Sequence, residues 1–259
     1  MLAEERRQQV MEIIQKEGRV IAKDLSDMFN ISIDSVRRDL TIMEKQGLLQ
    51  KTYGGAVAIT PHQKVRTLPS PESKRYSPPA RHQDEISKYA ASFIKEQDTV
   101  FIGSAGIQYG MIKHLPTSYP FTLVTNSLKI AEAVRNIENI TSYLIGGKLR
   151  ANSANSMIDI IALEMVGRFT FDIGFLTGGG ITADGISTAT PEAAAFHRRV
   201  SEVSRKTICL APHEKVSQQM FISSVPMDRI DVIITDKQAT EKELKEMEKK
   251  NVEVIFVEA

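Results

Sequence analysis

Ser32-Ile-Asp-Ser-Val-Arg-Arg-Asp-Leu-Thr-Ile-Met-Glu-Lys-Gln-Gly47 reads as one helix with marked ends. Ser32 is a good N-cap, because its hydroxyl can accept an otherwise unpaired first-turn amide. Asp34 sits where the helix dipole favours a carboxylate, and Gly47 suits a left-handed stop. With successive residues about 100° apart, Ile33, Val36, Leu40 and Met43 share one face, while Asp34, Ser35, Arg37, Arg38, Thr41 and Lys45 fan across the other. Short hydroxyl side chains near the N-terminus and paired arginines one turn in are what insertion into a major groove needs. A guanidinium fork grips guanine edges or phosphates, and serine and threonine reach phosphates without crowding the backbone. A solvated face balanced by Asp39 and Glu44 is the competing reading of the same residues.

Working outward, Val10, Ile13 and Ile14 form an apolar stripe that ends near Gly18, and Ile21, Leu25, Met28 and Phe29 form another at i, i+4, i+7 and i+8. Three short helices sharing one core are predicted. After Gly47 the chain runs Leu-Leu-Gln-Lys-Thr-Tyr-Gly-Gly-Ala-Val-Ala, with β-type residues on either side of Gly54-Gly55, which predicts a small hairpin. Lys51, Thr52, Tyr53, Gly54 and Gly55 therefore join Ser32, Asp34, Ser35, Arg37, Arg38, Thr41 and Lys45 as the residues expected to meet double-stranded DNA. From residue 61 to 81 the periodicity stops, and Pro61, Pro69, Pro71, Pro78 and Pro79 are mixed with basic residues; this is read as a linker. The expected division is a DNA-binding head of three helices and a hairpin over 1–60, a linker over 61–81 and an α/β domain over 82–259.

In that last segment strand-like apolar runs at 99–102, 121–124, 142–145, 173–176, 207–211, 232–234 and 252–257 alternate with helix-like stretches at 85–95, 128–134, 191–203 and 241–250. Alternation of this kind predicts a parallel, doubly wound, Rossmann-like sheet. Ligands of such sheets sit where strands end, and the polar punctuation falls there. Gly103, Ser104, Ala105 and Gly106 follow the first run; Thr125, Asn126 and Ser127 the second; Gly146 and Gly147 the third; Gly179 the fourth; and Lys215 lies just after the fifth. With Glu192 they form the candidate effector set, suited to an anionic or polyhydroxylated small molecule. Glycine at a strand end is also ordinary steric punctuation, so the case rests on their joint placement.

Composition narrows the classes. The 259 residues are 42% hydrophobic and 25% charged, which excludes disorder and collagen-like repeats, and the net charge of +1 means that any nucleic-acid role must rest on local geometry. The single cysteine, Cys209, lies in an apolar run and is expected to be an inert buried thiol. No Cys/His cluster has zinc spacing, so neither metal nor cofactor is expected. No apolar run approaches the ~18 residues a membrane span needs, and the chain is expected to be cytoplasmic.

The first segment resembles the winged helix-turn-helix of the DeoR family of transcription regulators, through Arg7, Ser32-Ile-Asp-Ser-Val-Arg-Arg-Asp-Leu40, Glu44, Gly47 and Tyr53-Gly-Gly-Ala56. Where that family usually has threonine this chain has Ser35, and where it has histidine before the glycine pair this chain has Tyr53. The resemblance continues through Val124-Thr-Asn-Ser127, Leu144-Ile-Gly-Gly147, the glycine-rich stretch over 175–181 with Gly185, Glu192-Ala193, Lys215 and Ile230-Asp-Val-Ile-Ile-Thr-Asp236. It implies an effector domain similar in fold to ribose-5-phosphate isomerase and glucosamine-6-phosphate deaminase, in which a sugar phosphate or related metabolite alters DNA affinity. Two loops depart from the family pattern. An Asp-Ser-Gly-Thr-Thr loop is replaced by Gly103-Ser-Ala-Gly-Ile107, and Asp-X-Ser-Lys by Pro212-His-Glu-Lys215, which puts a phosphorylated effector in question. The expected function is a non-enzymatic repressor of carbohydrate genes, working as a homodimer or homotetramer. Two alternatives are a sugar-phosphate isomerase or deaminase using Asp184, Glu192 and His213, and an interaction module with a vestigial pocket.

Overall fold

The computed structural model describes residues 3–45, 48–58, 78–149, 156–239 and 241–258. Most of the proposed linker, and Gly47, lie outside them. The chain divides into two compact units, Met1–Lys64 and Val65–Ala259.

In the first unit α1 (Ala3–Glu17), β1 (Arg19–Ile21), α2 (Ala22–Phe29) and α3 (Ile33–Lys45) precede a hairpin of β2 (Leu49–Thr52) and β3 (Gly55–Ala58). The strands form an antiparallel sheet in the order β1-β3-β2. Val10, Ile14, Leu25, Val36, Leu40, Met43, Leu49 and Ala56 fill the core. Helix α2 ends at Asn30, in the left-handed region at φ 50, and Ser26 Oγ donates to Ile31 O across the turn at 2.6 Å. Ser32 caps α3, its Oγ accepting the Ser35 amide at 3.2 Å.

Two expectations for this unit are corrected, and with them part of the competing reading of α3. Ile21 belongs to β1, where pairing with Gly55 outweighs its place in a helical stripe, and Met28 and Ile33 are exposed. Asp39 is no solvated counter-charge. Arg6 converges on its Oδ2 through Nε at 2.7 Å and Nη2 at 2.6 Å, Arg7 stands 3.6 Å from Oδ1, and the carboxylate is 8% exposed. Gly55 is buried, and a Cβ there would lie 1.9 Å from Val20 O, so this glycine serves the close approach of β3 to β1 and offers no surface to DNA.

The second unit is built on a seven-stranded parallel sheet. Its strands are β4 (Thr99–Ile102), β5 (Phe121–Thr125), β6 (Ile140–Leu144), β7 (Phe171–Leu176), β10 (Ser204–Leu210), β12 (Val232–Asp236) and β13 (Glu253–Val257). Their order is β13-β12-β10-β7-β4-β5-β6. Alternate residues feed two separate cores, as burial on both faces requires. Val100, Ile102, Ile208, Leu210, Val232 and Ile234 pack with α4 (Arg81–Ala91), α5 (Gly106–Gly110) and α6 (Leu128–Val134). Phe101, Cys209 and Ile233 pack with α7 (Ile160–Val166), α8 (Pro191–Glu202) and α9 (Glu241–Glu248). The doubly wound reading therefore holds.

What the periodicity missed is a second sheet, antiparallel, in which β8 (Gly180–Thr182) and β9 (Gly185–Thr188) form a hairpin and β11 (Ile222–Pro226) joins β9. The glycine run after β7 therefore leads into a hairpin and not directly into a helix. Among the described residues no helix is long and apolar enough to cross a membrane.

Candidate functional site

The outward face of α3 carries the candidate DNA-contacting side chains. Ser32, Asp34, Arg37, Arg38 and Lys45 are exposed, and Ser35 and Thr41 are partly so. Arg37 stands 3.6 Å from Asp34, a loose pair in which both side chains are largely in solvent, so the guanidinium can turn to a phosphate or base at little cost. The hairpin is tied to this helix. Lys51 Nζ donates to Thr41 Oγ1 at 2.7 Å, Thr41 Oγ1 donates to Arg37 O at 2.7 Å, and the Lys51 amide donates to Glu44 Oε1 at 2.9 Å. Glu44, read from the sequence as a balancing charge, anchors the wing. Thr52, Tyr53 and Gly54 are exposed at its tip.

In the second unit a cavity of about 330 Å³ opens at the carboxyl ends of β4 and β7. These strands are neighbours although β5 and β6 lie between them in sequence, so this is the point where the strand order reverses, the usual crevice of an open α/β sheet. Gly103, Ser104, Ala105 and Gly106 line one side and Gly179 the other, with Asn126 and Lys215 also at the wall. Gln108 shapes the first loop. Its Oε1 accepts the Ala105 amide at 3.0 Å and its Nε2 donates to Phe175 O at 2.7 Å, while a Cβ on Gly103 would meet its Oε1 at 2.9 Å.

Five members of the predicted effector set do not line the cavity. Thr125 Oγ1 accepts the Ser127 amide, and Ser127 Oγ caps α6 by accepting from Ile130 N, so both buried hydroxyl oxygens serve the turn. Gly146 and Gly147 lie toward α7: Gly147 has φ +150, and a Cβ there would fall 2.3 Å from Asp159 Oδ1, the cap of that helix. Glu192 is exposed in the first turn of α8, whereas its neighbour Ala193 reaches the cavity. Sequence reasoning missed the wall supplied by Thr188, Thr190, Phe196, His197 and Met220.

Two lining side chains carry buried polar atoms that find no partner among the described residues, Asn126 Oδ1 and His197 Nδ1. The Asn126 amide is oriented by Nδ2 donating to Met157 O at 2.9 Å, which leaves Oδ1 as a pure acceptor. An unpaired buried polar atom costs about 1–3 kcal/mol. Lys215 Nζ donates to Gly178 O at 2.7 Å and is the one cation among the described lining residues. Burial holds the His197 imidazole down to about 4, so it is neutral at pH 7.

Because an unfolded histidine titrates near 6.5, falling pH protonates the unfolded chain before the folded one. This stability is complete above about pH 6.5 and lost as pH falls toward 4. Between pH 7 and 4.5 His197 is expected to withdraw about 2–3 kcal/mol. Denaturant midpoints at the two pH values should converge in His197→Gln, and an unchanged pH dependence in that variant would refute the assignment.

Beside the cavity, His213 and Glu214 meet His82 and Asp236. Burial alone would raise the Asp236 carboxyl, but the amides of His213 and Gln238 and the His213 ring outweigh it and hold the group below its usual range. Glu214 is likewise held low against burial by its own backbone amide, Gln83 and His82. Cys209 is fully buried and burial pushes its thiol up to about 12, against a smaller pull from Lys215. Its burial is what its sequence setting implied, and a thiol kept protonated is a poor nucleophile.

Residues 6–62 match the model of the DeoR-like helix-turn-helix domain and residues 80–237 that of the DeoR C terminal sensor domain. The HTH-type transcriptional repressor GlcR of Bacillus subtilis (strain 168) is 27% identical over 258 residues, covering 100% of this chain and 98% of that protein. The HTH-type transcriptional regulator IolR of the same organism is 28% identical over 234 residues, covering 89% and 90%. A ribose 5-phosphate isomerase A from Methanocaldococcus jannaschii superposes with a TM-score of 0.36 and 11% identity over 52% of this chain and 53% of that one, a likeness too slight to carry a reaction across. With its helix-turn-helix matched at one end and the sensor domain matched over more than half its length, the chain belongs to the DeoR family of transcription regulators.

Proposed function

We propose that this regulator is a repressor that binds its operator through Arg37, Arg38 and the Lys51–Gly54 wing, and that a polyhydroxylated metabolite in the sensor cavity alters that binding. The observation that carries the DNA half is the exposed face of α3, capped by Ser32 and braced to the wing through Thr41 and Glu44. For the effector, support comes from the cavity at the strand-order switch, lined by glycine-rich loops, by Asn126 and His197, each with one buried polar atom that finds no partner among the described residues, and by the Lys215 ammonium. Ligand coupling requires that the metabolite prefer one of two arrangements of the protein, and reading two half-sites requires at least a dimer.

The isomerase alternative needs a positioned acid/base pair. Asp184 is exposed, 3.8 Å from Lys250, Glu192 is exposed, and His213 is engaged by Asp236; the described lining residues include no carboxylate. This supports a binding role over turnover.

The test is a mobility-shift titration on the DNA upstream of the gene itself, with and without a panel of sugars, polyols and their monophosphates. Retention of this DNA over a scrambled duplex is expected, and at least one panel compound should shift the midpoint. Asn126→Leu should keep operator retention and lose the response. Equal retention of scrambled DNA would overturn the DNA half, and a silent panel or an Asn126→Leu protein with full response would overturn the effector half.

A further inference from the structure

We propose that the sensor unit binds one divalent transition-metal ion of the zinc class between His82, His213, Glu214 and Asp236, beside the cavity and independently of the function proposed above. His82 is the second residue of α4, His213 and Glu214 form part of the short 3₁₀ turn after β10, and Asp236 ends the adjacent strand β12. One ligand atom from each lies within 4.8 Å of every other. His82 Nε2 is 3.1 Å from Glu214 Oε2, His213 Nδ1 is 3.6 Å from the same oxygen, and His213 Nδ1 is 2.9 Å from Asp236 Oδ1. Ligand atoms ~2.0–2.2 Å from a tetrahedral zinc stand roughly 3.4 Å apart, so the observed separations straddle the spacing a metal would impose.

A hydrogen-bonded histidine–aspartate pair would account for His213 and Asp236 alone. It does not account for the second imidazole, whose ring centre lies 4.7 Å from that of His213 and whose nitrogen converges on the same Glu214 oxygen. The remaining carboxylate oxygens are held from behind: Gln83 Nε2 donates to Glu214 Oε1, and the His213 amide donates to Asp236 Oδ2 at 2.9 Å. Outer hydrogen bonds of this kind orient metal ligands, with Glu214 Oε2 and Asp236 Oδ1 toward the imidazoles and Asp236 Oδ1 also accepting the Gln238 amide at 3.1 Å. Two imidazole nitrogens with two carboxylate oxygens suit zinc and its neighbours, whereas calcium and magnesium take all-oxygen sets of six or more. Two carboxylates also balance the charge of a dication.

Such an ion would clamp the start of α4 to the ends of β10 and β12. Gln83, Pro212 and Lys215, adjacent in sequence to the ligands, line the cavity, so occupancy would stiffen one of its walls.

The test uses the untagged full-length protein, stripped with chelator, dialysed and titrated calorimetrically with Zn²⁺. One ion per chain and a raised melting temperature for the sensor unit are expected, and Co²⁺ in its place should give the intense visible bands of a four-coordinate site. His82→Gln and His213→Ala should each weaken Zn²⁺ binding by about tenfold or more. His114→Ala, whose imidazole pairs with Asp84 and is not one of the four ligands, should leave the titration unchanged. Asp236 is buried, so its substitution tests folding as well as binding, and His82→Gln is the deciding variant. Substoichiometric uptake, or Zn²⁺ affinity unmoved in folded His82→Gln and His213→Ala, would overturn the site.

Discussion

Replacing Arg37 and Arg38 together by alanine is expected to abolish sequence-specific retention of operator DNA without changing the melting of the head. Neither arginine is buried, and the one ion pair of Arg37 is a loose contact with an Asp34 that is itself mostly in solvent. Surface substitutions of this kind move stability by about half a kcal/mol at most. The cost in binding is larger. An arginine set bidentate on a base contributes about 1–3 kcal/mol of discrimination, so losing two lowers specific affinity by roughly 30-fold to 3 × 10⁴-fold. Salt titrations of the single variants separate the roles. A variant that weakens all sequences alike and lowers the salt slope by about one has lost a phosphate contact, whereas one that relaxes preference at a single base pair has lost base readout. Undiminished operator preference in the double variant would remove the recognition role from α3.

Asp39→Ala is expected to unfold the head while leaving the sensor unit intact. The carboxylate projects from α3 to Arg6 and Arg7 of α1, and removing it strands two partly buried guanidinium groups. Breaking a buried pair from one side costs about 3–5 kcal/mol, and a unit of about 60 residues has only about 3–9 kcal/mol to lose. Circular dichroism should show the head's thermal transition lost or moved far down and that of the sensor unit unmoved. Combining Asp39→Leu with Arg6→Met and Arg7→Met should recover much of the stability, because apolar packing replaces a buried ionic cluster at little net cost. Wild-type melting in Asp39→Ala would show that the cluster contributes nothing.

Much of this was legible in the residues. The Ser32 cap, the buried row Val36, Leu40 and Met43, and the alternation of strands and helices are local signals, and local signals survive folding. What was lost depended on partners distant in sequence. Ile21 fits a helical stripe, yet β3 recruits it into a strand; Asp39 looks like any surface acid until α1 is laid against α3. Asn126 and Lys215 were found because they follow strands, whereas Phe196 and His197 reach the cavity from one face of α8, and Thr188 and Thr190 from beside β9, with no motif to announce them. Gly146-Gly147 was misplaced because a glycine pair after a strand reads the same whether it cradles a ligand or lets a neighbouring helix cap come close.

The strand order also bears on synthesis. β4 is the first strand of its sheet to be translated and one of the innermost, yet the strand on one of its flanks, β7, is encoded about 70 residues later, as the register Val100↔Ile173 records. At about 5–20 residues per second, a ribosome exposes that apolar flank for roughly 4–15 s before its partner emerges. The head, closed by contacts within its own span, has no such wait. Nascent chains therefore pass through an interval in which the DNA reader is finished and its sensor is half-built, when protection from aggregation matters most.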